Sequence, residues 1–475
     1  MNYVFYDLET TGKNKDWSQI IQFGAILVNE NLQELERHDI KCNLKSGVVP
    51  EPEALLVNNN SISDLAKINF SHYELINEIK LKFSEWSPAV FFGFNSIQYD
   101  EEILRKSFFK SLLDVYITQL EGNKRGDILN IARASFFYDK NSIKTSLNLK
   151  GNISFKLEDL SKANNISHNA HDAMGDVIAT IELAKILKKN APKVWQQSLR
   201  NCYKNDVENF LLQNKIFSFL DYNFGKIKFY PLTFLCFHPK FNYPQCYNLS
   251  VDPVEIVKLS YSDLKKRIKE KPIFLKSVPY SKHPSVFEFN YQIKNNEFVN
   301  IDEQILNNRV DLLSKSEEFK EKIKLILGEQ YQETEDMKPQ VEILAEESLY
   351  KGGFPSYKDK SLMRKFHEGS WHDKYKISLE FEDHRFQYFA QRIIYEVSPQ
   401  CLPKEIFNNI HRSIANQILT LDDVNWFTLP KAFKQIDDLR EKYNNEESNQ
   451  KLIFLSEINE YLEKMQITYE PAKYL

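Results

Sequence analysis

The chain has 475 residues, a formal net charge of −4, and a composition that is 42% hydrophobic and 27% charged. The length predicts roughly two to four domains, and no apolar run approaches the roughly 18 residues of a membrane-spanning helix. The N-terminus lacks the basic segment of a signal peptide, and the five scattered cysteines form no C-x-x-C pair. These features argue against membrane, secreted and zinc-binding classes and predict a cytoplasmic protein.

The first part of the chain predicts an α/β domain. Apolar strands are predicted at residues 3–9, Ile20–Val28 and 89–94, with another near 39–44. Helical patterns then dominate to about residue 189. Three early strands, followed by one strand and several helices, favour a mixed sheet in a domain of roughly 190 residues.

The character of the sequence changes after residue 200. Short apolar runs among Pro, Tyr and Phe predict a small β-rich domain, the acidic stretch at 333–338 predicts a linker, and helical periodicity returns after residue 361. Residues 256–284 carry eight Lys/Arg against two acids, a net of +6, whereas 329–347 carry seven acids against one Lys. The basic stretch either lines a nucleic-acid channel or is a solvated face.

Asp7 and Glu9 are the first candidate site residues. Residues two apart in a strand share a face, so these carboxylates lie side by side and repel each other unless a cation lies between them. Val4, Tyr6 and Leu8 on the opposite face require an apolar layer, which predicts a buried strand. Taken alone, the pair is also compatible with an exposed sheet edge.

Asp100 follows the strand at 89–94 through a short turn. We expect Asn95 or Ser96 to cap the helix that continues through Phe108. Asp100 is then either a site residue or a first-turn acid that interacts favourably with the helix dipole.

His171 and Asp176 frame the start of another helix. Asp176 heads an apolar stripe that includes Ala179 and Leu183, which is a costly place for a carboxylate without a cation. We expect Asp172 to be the N-cap and His171 to lie just before the helix. An isolated histidine there is also compatible with a structural or solvated role.

Together these residues resemble the DEDD exonucleases of the ribonuclease H-like superfamily, in the subclass with a histidine before the last aspartate. Phosphodiester hydrolysis needs an activated water and charge relief on the phosphoryl oxygens, which two Mg²⁺ ions supply, with Mn²⁺ as a substitute. The resemblance implies that Asp7, Glu9, Asp100 and Asp176 bind metal and that His171 is the general base.

Residues 155–164 and 169–180 resemble the exodeoxyribonuclease I family closely. The resemblance implies a DEDDh exonuclease domain at 1–195, a small Src-homology-3-like β-rich domain at 196–345 and a helical C-terminal domain at 346–475. It also implies a monomer that degrades single-stranded DNA 3′→5′ to 5′-mononucleotides in DNA repair. A basic surface would dock single-stranded DNA-binding protein.

The same resemblance implies a set of residues that contact the DNA strand. These are Glu9, Thr10, Arg105, Tyr116, Arg133 and Lys156. Lys156 stands where an arginine is often found, and it keeps the charge but not the bidentate geometry. In the C-terminal third, residues 388–394 retain little of the family's pattern beyond Arg392.

Two alternative functions stay open at the level of sequence. A DEDDh exoribonuclease would share the five catalytic residues but would lack the long extension after the nuclease domain. A non-catalytic nucleic-acid-binding subunit would be expected to have lost at least one of these residues, and all five are present.

Overall fold

The computed structural model of the chain describes residues 1–223, 225–289, 302–337, 343–444 and 449–474. The described strands are β1 (Asn2–Thr10), β2 (Ile20–Val28), β3 (Glu34–Lys41), β4 (Ala89–Gly93), β5 (Lys124–Asp127), β6 (Ser146–Leu147), β7 (Ile153–Ser154), β8 (Phe217–Asn223), β9 (Lys226–Phe237), β10 (Pro244–Asn248), β11 (Leu275–Ser277) and β12 (Val286–Glu288). The described α-helices are α1 (Pro52–Val57), α2 (Ile62–Leu65), α3 (His72–Glu85), α4 (Asp100–Lys110), α5 (Ile128–Tyr138), α6 (Leu157–Ala163), α7 (Ala173–Asn190), α8 (Pro192–Asn201), α9 (Lys204–Gln213), α10 (Tyr261–Arg267), α11 (Glu303–Lys315), α12 (Glu317–Asp336), α13 (Tyr357–Glu368), α14 (Trp371–Ser378), α15 (His384–Val397), α16 (Lys404–Ile418), α17 (Leu429–Tyr443) and α18 (Asn449–Tyr469). Within these ranges, no helix has the length and apolar character needed to cross a membrane.

A mixed five-stranded sheet organises the first part of the chain, in the order β3-β2-β1-β4-β5. The central strand β1 pairs antiparallel with β2 and parallel with β4. At the edges, β3 is antiparallel to β2 and β5 is parallel to β4. The predicted mixed sheet is confirmed.

Three differences from the predicted elements have physical causes. β3 covers Glu34–Lys41 instead of 39–44 because it is a polar, largely exposed edge strand that apolar periodicity does not reveal. β5 lies in the region where helical patterns dominate, and it forms a strand because Arg125 and Asp127 are buried against specific partners. The predicted cap at Asn95 or Ser96 is wrong, because α4 begins only at Asp100 and Asn95 lies in a preceding turn with φ of +62°.

Apolar layers cover both faces of this sheet. On one face, Val4, Tyr6 and Leu8 pack against α3 and α4. On the other, Tyr3 and Phe5 pack against α5 and α7. The strand that carries Asp7 and Glu9 is therefore buried between two helical layers, as its alternating pattern predicted.

A second, antiparallel sheet follows in the order β11-β10-β9-β8-β12. It agrees with the β-rich region predicted between residues 200 and 300, and α11 and α12 share its core. The linker predicted at 333–338 is wrong for residues 333–336, which form the last turn of α12. Residue 338 lies outside the described residues.

The C-terminal helices α13 to α18 pack directly on the first part of the chain. Their common core includes Ile21, Leu55 and Phe109 from the region of the first sheet. The core of that sheet also extends to Trp195 and Cys202, on either side of the predicted boundary at 195. The boundaries at 195 and 345 stay predictions.

Candidate active site

Asp7 and Glu9 lie on one face of β1, the central strand of the first sheet. Both side chains are half-buried. Residues i and i+2 of a strand point the same way, so the two carboxylates project together from the sheet. They point to the face that α7 covers, where Asp176 lies.

The start of α7 approaches this face closely because β2 has Gly24 opposite Asp7. A Cβ atom at Gly24 would lie 2.7 Å from the backbone nitrogen of Met174, so only glycine allows the helix to begin this near to the sheet. Asp172 caps the helix as predicted, because its carboxylate accepts a hydrogen bond from the N–H of Gly175 at 3.0 Å.

This packing creates a cluster of three carboxylates: Asp7, Glu9 and Asp176 each offer an oxygen within 4.8 Å of the other two. Burial, followed by the charge of Asp100, raises the pKa of Asp7 well above its ordinary value. Burial, followed by the charge of Asp176, raises the pKa of Glu9 to about 8. Crowded carboxylate oxygens that repel one another are the ligands that a hard divalent cation takes, so the donor set fits such an ion.

Asp100 is buried beside this cluster at the first position of α4. Burial, with the charges of Asp127 and Asp176 adding to it, raises the pKa of Asp100 to about 8. The turn before Asp100 is held by Asp127, whose carboxylate accepts a hydrogen bond from the N–H of Asn95 at 2.9 Å. The N–H of Asp127 donates in turn to Nδ1 of His283 at 3.0 Å. His283 lies between β11 and β12, so the placement of Asp100 depends on the second sheet.

Glu101, the neighbour of Asp100, is the centre of a buried hydrogen-bond network. Its carboxylate accepts hydrogen bonds of 2.6–3.0 Å from Tyr6, Arg105, Thr118 and Arg125. Burial raises the pKa of Glu101, but Arg125 and Arg105 outweigh that effect and hold it below its usual value. The network joins α4 to β1 and β5 and thereby fixes the helix that carries Asp100. No sequence pattern indicated it.

Two histidines precede α7 in different surroundings. The imidazole of His168 is only 7% exposed, and its Nε2 contacts Oδ1 of Asp176. His171 is exposed, has φ of +64°, and makes no hydrogen bond or ion pair with any residue in the described ranges. Among the described residues, His168 is therefore the histidine that contacts the carboxylate cluster. Sequence reasoning missed His168 because nothing in its spacing distinguished it from a core histidine.

Thr10 and Arg105, predicted to contact the DNA strand, are engaged within the protein. The Thr10 hydroxyl donates to the carbonyl oxygen of Gly12 at 2.8 Å. Arg105 is buried and pairs with Glu101 at 3.0 Å and Glu102 at 3.6 Å, so neighbouring carboxylates already compensate its charge.

The other predicted contact residues lie on different surfaces. The Arg133 guanidinium lies 3.7 Å from the centroid of the Tyr222 ring, a close cation–π contact. Lys156 is exposed immediately before α6. Tyr116 lines a large groove. The roles of all these residues stay predictions.

The groove has a volume of about 740 Å³ and begins at the turn before Asp100. Seven lysine and arginine residues line it, against Glu102 as the single acid. Lys15, Lys204 and Lys282 form no ion pair with a described carboxylate, whereas the others are paired. A basic groove with tyrosines in its wall suits a flexible nucleic-acid strand.

Most of the basic stretch at 256–284 lies elsewhere. Lys265 donates to Glu329 and Glu333, each at 2.8 Å, so the basic and acidic stretches partly neutralise each other across α10 and α12. Arg267 donates to the carbonyl oxygens of residues 270 and 272. Lys282 is the member of the stretch that lines the groove.

Two family models match the chain. The model described as Exonuclease matches residues 4–184, and the model described as Exonuclease I C-terminal domain matches residues 343–465. The first range contains all four candidate carboxylates and both histidines. Together with the carboxylate cluster, this match indicates a site for divalent metal.

Two curated relatives each match a little under half of the chain. The exodeoxyribonuclease I of Buchnera aphidicola subsp. Schizaphis graminum is 34% identical over 213 residues, which cover 44% of this chain and 43% of the relative. That of Haemophilus influenzae is 32% identical over 213 residues, 44% of this chain and 45% of the relative. These matches span less than half the length of the relatives.

Solved structures match nearly the whole chain. A moderately thermophilic exonuclease I from Methylocaldum szegediense has a TM-score of 0.82 at 24% identity, covering 98% of this chain and 99% of that one. Escherichia coli exonuclease I with a dA16 oligonucleotide has the same TM-score and coverages at 22% identity. An SSB/exonuclease I structure with an inhibitor has a TM-score of 0.81 at 22% identity, with coverages of 98% and 99%. At these identities the likeness establishes the fold.

Proposed function

The chain belongs to the exonuclease I family, and on this premise we propose that it is a 3′→5′ exonuclease that degrades single-stranded DNA to 5′-mononucleotides. The observation that carries the proposal is the convergence of Asp7, Glu9 and Asp176 within 4.8 Å. A basic groove begins at the turn before a fourth carboxylate, Asp100. The reaction is hydrolysis of the terminal phosphodiester bond.

Two magnesium ions, with manganese as a substitute, are the proposed cofactor. Asp7, Glu9 and Asp176 would hold metal, and Asp100 supplies the fourth carboxylate of the site. When bound, such ions offset the negative charge that develops on the phosphoryl oxygens and on the leaving 3′-oxygen. The protein's part is to fix these carboxylates, through the cap at the start of α7 and the Glu101 network behind α4.

The general base is assigned to His171, as the family resemblance implies. Its imidazole is exposed just before α7 and forms no internal hydrogen bond in the described structure that substrate would have to break. An imidazole can accept a proton from the attacking water near neutral pH. His168 instead contacts Asp176 and would help to position that carboxylate.

The proposed substrate and partners follow from the groove and the family. Lys15, Lys204 and Lys282 would meet the phosphates of a single strand, and the groove tyrosines would meet its bases. Single-stranded DNA-binding protein is a proposed partner, since an exonuclease I has been solved with SSB. We further propose that the protein is a cytoplasmic monomer that acts in DNA repair. Contacts from Thr10, Arg133 and Lys156 belong to it as predictions.

One assay separates this function from its alternatives. End-labelled single-stranded DNA, blunt duplex DNA and single-stranded RNA are offered side by side, with Mg²⁺ or with chelator, to the wild type and to Asp176→Ala. We expect mononucleotides from single-stranded DNA with Mg²⁺ alone, and a loss of several orders of magnitude in the variant. Faster cleavage of RNA would support the exoribonuclease alternative, and tight binding without cleavage would support a non-catalytic subunit.

A further inference from the structure

Phe354 is a phenylalanine that lies almost fully exposed at the edge of the groove. It belongs to the segment that leads into α13, and 81% of its surface is accessible to solvent. Its ring centroid lies 6.4 Å from that of Tyr116, a residue of the groove wall, with the ring planes inclined by 54°. The ring therefore contacts the groove on one side and presents its other side to solvent.

Arg385 braces the segment that carries Phe354. Its guanidinium donates to the carbonyl oxygens of Ser348 at 3.1 Å, Gly352 at 2.8 Å and Gly353 at 3.2 Å. Gly353 has φ of +78°, a left-handed conformation that glycine adopts without strain. A segment fixed in this way holds the exposed ring in one place, which reduces the conformational freedom lost on binding a ligand.

The exposed ring continues the wall of the groove. Tyr350, in the same segment, donates its hydroxyl to Glu102 at 2.7 Å and so joins the segment to α4. Beyond Tyr116, the Arg105 guanidinium lies 5.1 Å from the Tyr116 ring centroid. Phe354 and Tyr116 therefore form a continuous aromatic surface at the groove, with the buried, charge-paired Arg105 behind Tyr116.

Charge decides which ligand fits this surface. Lys15, Lys204 and Lys282 line the same groove without a carboxylate partner in the described ranges, which favours a polyanion over an apolar peptide. A single nucleic-acid strand offers phosphates to the lysines and flat bases to the ring. We propose that Phe354, backed by Tyr116, is a stacking platform for one base of the bound strand. This positioning role rests on the proposed exonuclease function.

The test measures binding of 5′-labelled single-stranded oligonucleotides to the full chain in chelator, where cleavage is absent. Phe354→Ala should weaken binding about 5- to 100-fold, the range expected for loss of one base–aromatic stack. Phe354→Trp should restore binding close to the wild type. A matched control is Tyr474→Ala, which removes an equally exposed aromatic residue, 88% accessible, that does not line the groove.

A second measurement uses a set of oligonucleotides, each with the base missing at a different position. A residue with only a structural role would not change how binding depends on that position. Removing one particular base should weaken binding to the wild type, and Phe354→Ala should be insensitive at that position. Unchanged binding by Phe354→Ala, or an equal loss for every oligonucleotide, would overturn the proposal. A wild type that binds but never cleaves DNA with Mg²⁺ would contradict only the exonuclease function. A wild type that does not bind single-stranded DNA would overturn both.

Discussion

Burial and a nearby carboxylate make the ionised form of Glu9 unfavourable, and a bound cation would offset this effect. Its pKa is raised from 4.5 to about 8, first by burial and then by the charge of Asp176. The folded protein therefore holds this proton more tightly than the unfolded chain does. Between the two values the folded state binds more protons, and stability falls as the pH rises. Below about pH 4 and above about pH 8 this group contributes no slope.

The first prediction concerns this pH dependence. Without metal, the urea midpoint of the wild type should fall between pH 5 and pH 8, and Glu9→Gln should make that fall shallower because it removes one of the carboxylates, besides Asp7 and Asp100, whose pKa is raised. Mg²⁺ should flatten it in the wild type, since a bound cation replaces the proton. Parallel curves for the wild type and Glu9→Gln in chelator would show that Glu9 does not carry the effect.

The second prediction separates the two histidines. His171→Ala should slow cleavage by ~10²–10⁴-fold, as loss of a general base does, and should shift the acidic limb of the pH–rate profile. His168→Ala removes a contact to Asp176, so it should raise the Mg²⁺ concentration needed for half-maximal rate more than it lowers the maximal rate. If the variants show the reverse pattern, His168 is the base.

At the level of single residues, the candidate carboxylates could be predicted from the sequence, but the residues that hold them in place could not. Asp7 and Glu9 could be predicted as site residues because two carboxylates side by side on a buried strand repel each other unless a cation lies between them. His168 and Glu101 could not, because each acts through a partner far away in the sequence or through a contact that only folding creates.

At the level of elements, the site depends on how near α7 comes to β2. The closest approach is at Gly24, where an added Cβ would lie 2.7 Å from the Met174 nitrogen. Backbone atoms cannot move aside as a flexible side chain can. A larger residue at this position must therefore displace the first turn of the helix, and Asp176 with it.

The third prediction follows from this contact. Gly24→Ala should destabilise the protein by ~1–3 kcal/mol, as overpacking does, and should weaken Mg²⁺-dependent activity because Asp176 moves away from Asp7. Gly328→Ala is the matched control, since its Cβ would meet nothing nearer than 3.7 Å in the middle of α12. A Gly24→Ala variant with wild-type activity and Mg²⁺ dependence would contradict this account of the helix approach.

The strands could be predicted from the sequence where their residues are mostly apolar and buried. β1, β2 and β4 are apolar and fall close to where the pattern placed them. β5 reads Lys-Arg-Gly-Asp, and no propensity indicates a strand there. It is buried because Arg125 pairs with Glu101 and Asp127 accepts a hydrogen bond from the N–H of Asn95, and both partners lie in other parts of the chain.

At the level of the whole molecule, lysines from different parts of the chain divide into two groups. Lys265 is paired with acids of α12, whereas Lys15, Lys204 and Lys282 line the groove without an acidic partner among the described residues. Net charge over a sequence window could not separate them, since pairing depends on which helices pack together.

The fourth prediction tests that division. Replacing Lys15, Lys204 and Lys282 together by Gln should weaken binding of single-stranded DNA and make its salt dependence shallower by about 2 in log–log slope, since each lost phosphate contact contributes ~0.7. The matched triple variant at Lys265, Lys266 and Arg267 should bind nearly as the wild type does. Equal losses in both variants would place DNA on the outer basic face as well.

The hydrogen bond from Asp127 to His283 has a consequence for how the proposed activity responds to warming. Melting of the second sheet would withdraw His283 and leave a buried N–H of β5 without its acceptor. The turn that presents Asp100 would then loosen while Asp7, Glu9 and Asp176 are still held together. We therefore expect heat inactivation to follow the melting of the second sheet if that sheet melts first. We also expect the first part of the chain, expressed without the second sheet, to lose the placement of Asp100.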